Sequence, residues 1–187
     1  MPATTNELPE FYLQPGEARL VSGPFLLKTV LGSCVGITFR LGRINASALC
    51  HPMLPTYAST RRAGSAPRRY VDYVIRELAH EFDVLGARRE EVEVKVFGGA
   101  DVLASARNTP TVGAMNVEAA LRVLKEERFT VLASHLGGSR GIFIEFNTAT
   151  GEVRLRPLAR IDPHVLARTW KEQKSDESRK NPCTDRG

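Results

Sequence analysis

The sequence predicts an α+β fold: a single-domain α/β sandwich of mixed, mainly antiparallel sheets with two main helices. Three observations predict it. Short aliphatic and β-branched runs outnumber helical stretches. Most successive runs are joined by short turns holding Gly, Pro or Asn. Two segments carry apolar residues at helical spacing. At 187 residues the chain has the length of one domain and can bury a sizeable core. The expected organisation is a loose polar lead-in over 1–15, a folded domain over 16–170 and a disordered polar tail over 171–187, where charges alternate and aliphatic residues stop.

Taken in order, Glu17 to Ser22 and Phe25 to Val30 read as strands separated by Gly23-Pro24. Val35 to Arg40 reads as a strand with Val35, Ile37 and Phe39 on one face. Gly42-Arg43 suits a hairpin turn, and Ile44 to Cys50 returns as the partner strand with His51 at its end. Tyr70 to Phe82 is an amphipathic helix whose stripe is Val71, Val74, Ile75, Leu78 and Phe82. Val92 to Phe97 alternates valine with charge, a half-buried strand that ends at Gly98-Gly99-Ala100. Residues 101–112 read as a loop. Asn116 is placed to cap a second helix over 117–127, with Val117, Ala120, Leu121 and Leu124 inward. Phe129 to Ser134, Gly141 to Phe146 and Glu152 to Leu158 are strands, the last two joined at Thr150-Gly151. Asp162-Pro163 suits the start of a short helix through Trp170.

The three cysteines, Cys34, Cys50 and Cys183, are odd in number and widely spaced, which fits a reducing compartment and no disulfide framework. The N-terminal residues carry no signal-peptide pattern, and no stretch approaches the roughly 20 apolar residues of a membrane span. A cytoplasmic protein without membrane insertion is expected. The formal net charge is +5. Arg61, Arg62, Arg68 and Arg69 supply much of it within one Gly/Ser/Ala/Pro-containing loop. No aromatic ladder, zinc-finger spacing or helix-turn-helix pattern accompanies them, so nucleic acid is not the expected partner. The cluster reads either as a solvated loop or as a patch that steers an acidic protein surface.

Cys34 is the residue with most chemical content. It stands in Leu31-Gly32-Ser33-Cys34-Val35-Gly36, and His51 follows on the returning strand. A lone cysteine beside an apolar run is ordinarily inert packing. Here the hairpin brings the start of one strand beside the end of the next, so Cys34 and His51 become neighbours and can form a nucleophile–base pair. Backbone N–H groups around Gly32 and Ser33 are placed for a developing oxyanion. Cys50 precedes His51 on the strand, points to the opposite face and is expected to pack. Cys34, Cys50 and His51 lack zinc spacing and a fourth ligand, so no metal and no cofactor is expected.

These residues resemble the CheD family, the chemoreceptor glutamine deamidases. The resemblance lies in Leu31-Gly32-Ser33-Cys34-Val35-Gly36, His51-Pro52-Met53-Leu54-Pro55, Arg69-Tyr70-Val71-Asp72, Phe97-Gly98-Gly99-Ala100, Gly113-Ala114-Met115-Asn116, Gly137-Gly138 and Glu145-Phe146-Asn147, in family order. It implies hydrolysis of specific glutamine side-chain amides on the cytoplasmic helical bundle of methyl-accepting chemotaxis proteins, giving glutamate and ammonia. It implies an α/β sandwich related to the cytotoxic necrotizing factor toxins, and in some members binding to a CheC-like phosphatase. The implied catalytic set is Cys34, His51 and a threonine. Thr29 is the only threonine just before the cysteine, with Lys28 beside it. The segment Ser134-His135-Leu136 and the order Arg140-Gly141-Ile142 depart from the family pattern. Two other readings stay open: a low-activity module that docks on a CheC-like phosphatase or a receptor, and glutamyl methyl esterase or transglutaminase chemistry at the same cysteine.

Overall fold

A computed structural model describes residues 8–57, 66–101 and 110–159. In chain order the strands and α-helices are β1 (Glu10–Tyr12), β2 (Ala18–Ser22), β3 (Leu26–Leu31), β4 (Val35–Leu41), β5 (Ala46–Cys50), α1 (Val71–Val84), β6 (Val92–Gly98), α2 (Val112–Glu126), β7 (Val131–Leu136), β8 (Ile142–Asn147) and β9 (Val153–Pro157). They form a four-stranded sheet ordered β1-β3-β8-β9 and a five-stranded sheet ordered β2-β5-β4-β6-β7. The β1–β3 and β6–β7 pairs are parallel and the other pairs antiparallel, the mixed sandwich that the sequence predicts.

Period-two alternation sets the layers. In β4 the side chains of Val35, Ile37, Phe39 and Leu41 join one apolar cluster with Val71, Val74, Ile75, Leu78 and Phe82 of α1 and Ala120, Val123 and Leu124 of α2. The other face of the five-stranded sheet meets the four-stranded sheet. There Leu49 and Phe97 pack with Leu27, Leu31, Ile142, Ile144 and Phe146. The layers therefore run helices, five-stranded sheet, four-stranded sheet. Each fully buried large side chain of these clusters is worth roughly 1.5–3 kcal/mol of transfer free energy.

Four connections cross between the sheets, β1–β2, β2–β3, β3–β4 and β7–β8, and the middle two shape the site. β2 passes to β3 through Gly23, which takes φ 99°. β3 passes to β4 through Gly32-Ser33-Cys34. Cys34 thus sits on a corner where the chain changes sheets. The parallel β6–β7 pair needs a crossover, and α2 supplies it.

Several elements differ from the expectation. The lead-in over 1–15 contains β1, which pairs with β3, and Leu13 beyond it is buried at 2% exposure. Its polar and proline content hid a short edge strand whose stability comes from its partner. The Gly42-Arg43 turn is a 3-10 turn over Gly42–Ile44, closed by Asn45 at φ 53°, so β5 starts two residues later than expected. Helix α2 starts at Val112 and not at 117. Thr111 is its cap, its Oγ1 accepting from the Ala114 N–H at 3.2 Å. Asn116 is not a cap but lies inside the helix, fully buried. The inward face of α2 is Val117, Ala119, Ala120, Val123 and Leu124, so Val117, Ala120 and Leu124 face inward as expected, while Leu121 is 41% exposed. Phe129 precedes β7 and fills the helix-side cluster. The helix expected at 162–170, the tail over 171–187 and Cys183 lie outside the described residues. Among the described residues no helix is long and apolar enough to cross a membrane.

Candidate active site

The Gly32-Ser33-Cys34 corner is held by the end of β6. The Gly32 carbonyl accepts from the Ala100 N–H and the Cys34 carbonyl from the Gly99 N–H, each at 2.8 Å. Such an approach of backbone to backbone needs glycine. Gly98 and Gly99 take φ 94° and 70°, and a Cβ on Gly98 would overlap the Cys34 carbonyl. A Cβ on Gly113, in the first turn of α2, would come within 2.5 Å of the Gly99 carbonyl. The Gly98-Gly99 pair and Gly113 therefore let the Cys34 corner, the end of β6 and the start of α2 close on one another.

His51 leaves β5 with its backbone still paired. Its N–H donates to the Glu17 carbonyl at 2.8 Å, and its carbonyl accepts from the Gly16 N–H at 2.7 Å. The β4–β5 register pairs Ile37 with Cys50. Continued one step, it sets Gly36 opposite His51, and the Val35 N–H reaches the Pro52 carbonyl at 3.3 Å. Cys34 and His51 thus project from the same, inter-sheet face as diagonal neighbours, with a glycine between them. Cys34 is partly buried against the inter-sheet cluster. Cys50 points the other way. It is fully buried in the helix-side cluster, with its Sγ 3.7 Å from the Ile37 carbonyl.

The inward face of β3 carries Leu27, Thr29 and Leu31. The Thr29 Oγ1 lies 2.8 Å from the His51 Nδ1 and donates to the Leu13 carbonyl at 2.8 Å. A hydroxyl has one proton. With that proton on the Leu13 carbonyl, Thr29 accepts from His51, so the ring proton sits on Nδ1. The Nε2 then carries a lone pair. It is buried and has no partner among the described residues. Lys28, next along β3, faces outward to Glu10 at 2.6 Å and Glu145 at 3.4 Å. Of the two residues, Thr29 touches the histidine.

Burial governs the protonation of both groups. His51 is 2% exposed. Loss of hydration lowers its pKa to about 4, against the smaller upward pulls of the Leu13 carbonyl and the Glu17 charge. Burial also raises the Cys34 thiol pKa, opposed by the residue's own backbone N–H. Cys50 is pushed up to about 12 by burial. At rest the thiol and the imidazole are therefore both neutral, and the buried His51 Nε2 has no hydrogen-bond partner among the described residues.

The arginines divide. Arg61 and Arg62 lie outside the described residues. Arg68 donates to Glu77 at 2.7 Å and lies 3.9 Å from Glu81, so much of its charge is balanced. The Arg69 carbonyl accepts from the N–H groups of Met53 and Leu54 at 2.8 and 3.0 Å, which anchors the segment after His51.

Sequence reasoning missed two contributors. Leu13 brings its carbonyl to Thr29 from the supposed lead-in. Asn116 donates through Nδ2 to the carbonyls of Ser33 and Met53, each at 2.9 Å. The signal for Asn116 was a polar residue on the apolar stripe that Ala120 and Val123 continue.

The fold and site define a class: an open α/β sandwich with a cysteine at an inter-sheet corner, and a histidine and threonine joining the two sheets behind it. Comparison with known proteins narrows this. Residues 53–157 match the family model CheD, chemotactic sensory transduction. A probable chemoreceptor glutamine deamidase, CheD 2, of Geobacter sulfurreducens is 38% identical over 166 residues, covering 87% of this chain and 98% of that protein. A probable chemoreceptor glutamine deamidase CheD of Oleidesulfovibrio alaskensis is 35% identical over 183 residues, covering 95% of this chain and 86% of that protein. The corresponding protein of Rhodospirillum rubrum is 34% identical over 153 residues, covering 82% and 85%. The chain belongs to the CheD family.

Proposed function

We propose that this protein is a chemoreceptor glutamine deamidase that works through a Cys34 thioester. The observation that carries the chemistry is the His51 ring. Its Nδ1 is tied to Thr29, and its Nε2 is open on the sheet face that also bears Cys34. The relatives' names carry the choice of substrate.

His51 Nε2 takes the Cys34 proton as sulfur attacks the side-chain carbonyl carbon of a receptor glutamine. Backbone N–H groups of the Gly32-Ser33-Cys34 corner stabilise the oxyanion, on the order of 3 kcal/mol per donor. The C–N bond breaks, and the proton on Nε2 leaves with the amine as ammonia. Water then adds to the thioester and gives a proton to Nε2. The C–S bond breaks, and the thiolate recovers that proton. One amide and one water become one carboxylic acid and one ammonia. Thr29 keeps the Nδ1–H in place throughout.

The substrate is the helical bundle of a chemoreceptor on its cytoplasmic side, so the protein acts in the cytoplasm. The basic loop after His51, with Arg61, Arg62, Arg68 and Arg69, steers that encounter. The contribution of Arg68 is reduced by Glu77 and Glu81, which balance it. A CheC-like phosphatase is proposed as a second protein partner on the family resemblance alone.

The test offers a purified receptor cytoplasmic fragment in glutamine and in glutamyl methyl ester form, with an added primary amine. The deamidase reading requires ammonia equal to the new glutamate, with no amine incorporated. Methanol release without ammonia would move the activity to esterase chemistry, and amine incorporation would move it to transglutamination. Binding without turnover would leave a docking module.

A further inference from the structure

Asn116 is the only fully buried polar side chain of α2, and it touches the loops of both reactive residues. Its Nδ2 donates to Ser33, the residue before Cys34, and to Met53, two residues after His51. The reverse amide orientation would set Oδ1 against two carbonyl oxygens, so the chemistry fixes which atom is nitrogen. The Oδ1 itself is buried and has no partner among the described residues. A helix interior that served packing alone would favour an apolar residue here, as at Ala120 and Val123.

The Ser33 carbonyl and the Cys34 N–H belong to one planar trans peptide, in which they point in opposite directions. Whatever holds the carbonyl therefore aims the N–H. The flanking carbonyls of Gly32 and Cys34 are held by the backbone of Ala100 and Gly99. The carbonyl between them is held by a side chain. The Cys34 N–H is close enough to its own sulfur to favour the thiolate.

We propose that Asn116 is a positioning residue for the oxyanion site: by gripping the Ser33 carbonyl it points the Cys34 N–H at the oxygen of an acyl group attacked by Cys34. Its second grip, on Met53, ties the segment after His51 to the same anchor, so base and oxyanion donor keep a common frame. This rests on Cys34 as the nucleophile but not on the receptor as the substrate.

The test separates reactions at the same sulfur that do and do not pass through an oxyanion. Acylation by p-nitrophenyl acetate does; alkylation by iodoacetamide does not. Both rates are measured on the full chain in a Cys183→Ser background, with and without Asn116→Ala. The expected result is an acylation rate lower by about 100-fold with the alkylation rate unchanged. Asn116→Ser, which is smaller than asparagine, undergoes the same comparison should the alanine variant fail to fold. Equal loss of both rates would reduce Asn116 to a structural residue, and no loss of acylation would remove it from the site; either overturns the proposal. On a receptor fragment, kcat falls with acylation and KM holds. A wild type that acylates but does not deamidate the receptor refutes the substrate assignment, while the ratio of the two rates still decides the role of Asn116.

Discussion

Replacing Thr29 by valine keeps the shape of the side chain and removes its hydroxyl. That hydroxyl makes two buried hydrogen bonds, each 2.8 Å, to the Leu13 carbonyl and to His51 Nδ1. In Thr29→Val both partners lose their mate, and a buried polar group left unpaired costs about 1–3 kcal/mol. The Leu13 carbonyl already interacts with His51, so a small shift of the ring recovers part of this loss. The net destabilisation is about 2–4 kcal/mol, read as a shift in the urea midpoint. Thr29→Ser keeps the hydroxyl and loses one methyl, costing about 1 kcal/mol. The two variants separate further in activity. Without Thr29 the ring proton is held on Nδ1 by the Leu13 carbonyl alone, and only in a shifted ring, so the Nε2-protonated form gains population. A ring protonated on Nε2 cannot take the thiol proton, and kcat of ammonia release falls on the order of 100-fold. Thr29→Ser retains most of the wild-type kcat. Equal kcat in the valine and serine variants would refute the tautomer argument, whatever their stabilities.

Acid should act through His51. Its folded pKa, about 4, lies below the ordinary 6.5, so the unfolded chain takes the proton first as pH falls. The stability held above pH 6.5 is lost as the pH drops towards 4, about 3 kcal/mol in all, and His51→Gln should flatten that part of the urea-unfolding profile. A variant with the wild-type slope would contradict the buried neutral imidazole. Cys34 alkylation by iodoacetamide should keep rising with pH to the usual thiol range near 9 and beyond, because burial raises its pKa. A rate already at its plateau in mild acid would mean a thiolate–imidazolium pair instead. Gly99→Ala should cost about 2–4 kcal/mol, since its backbone has φ 70° and the new Cβ would overlap a Val117 methyl. Unchanged thermal stability would show that the approach of β6 to α2 is not tight.

The sheets and the two helices were legible because their signals are local. β4, β6 and β8 alternate, and α1 repeats its apolar residues at helical spacing. The hairpin that turns Cys34 and His51 towards one sheet face was legible because it needs no tertiary information beyond its register. What was hidden depends on partners distant in sequence. β1 is three residues long and exists through β3. Leu13 matters through a carbonyl, which every residue type has. Asn116 read as a cap because asparagine favours caps, yet Thr111 holds that place and the helix begins a turn earlier. The glycine block at Gly98-Gly99 was visible, but its reason, the close approach of the Cys34 carbonyl, appears only with the two sheets and α2 in place.

The central claim is that one of two nearby cysteines does the chemistry and that His51 serves it. The direct measurement is ammonia release, with the accompanying amide-to-acid mass change, on a purified receptor cytoplasmic fragment. Wild type is compared with Cys34→Ala, Cys50→Ala and His51→Ala. The account predicts turnover in wild type and Cys50→Ala and its loss in Cys34→Ala and His51→Ala, with all four folded. Turnover that survives loss of Cys34, or that depends on Cys50, would contradict it.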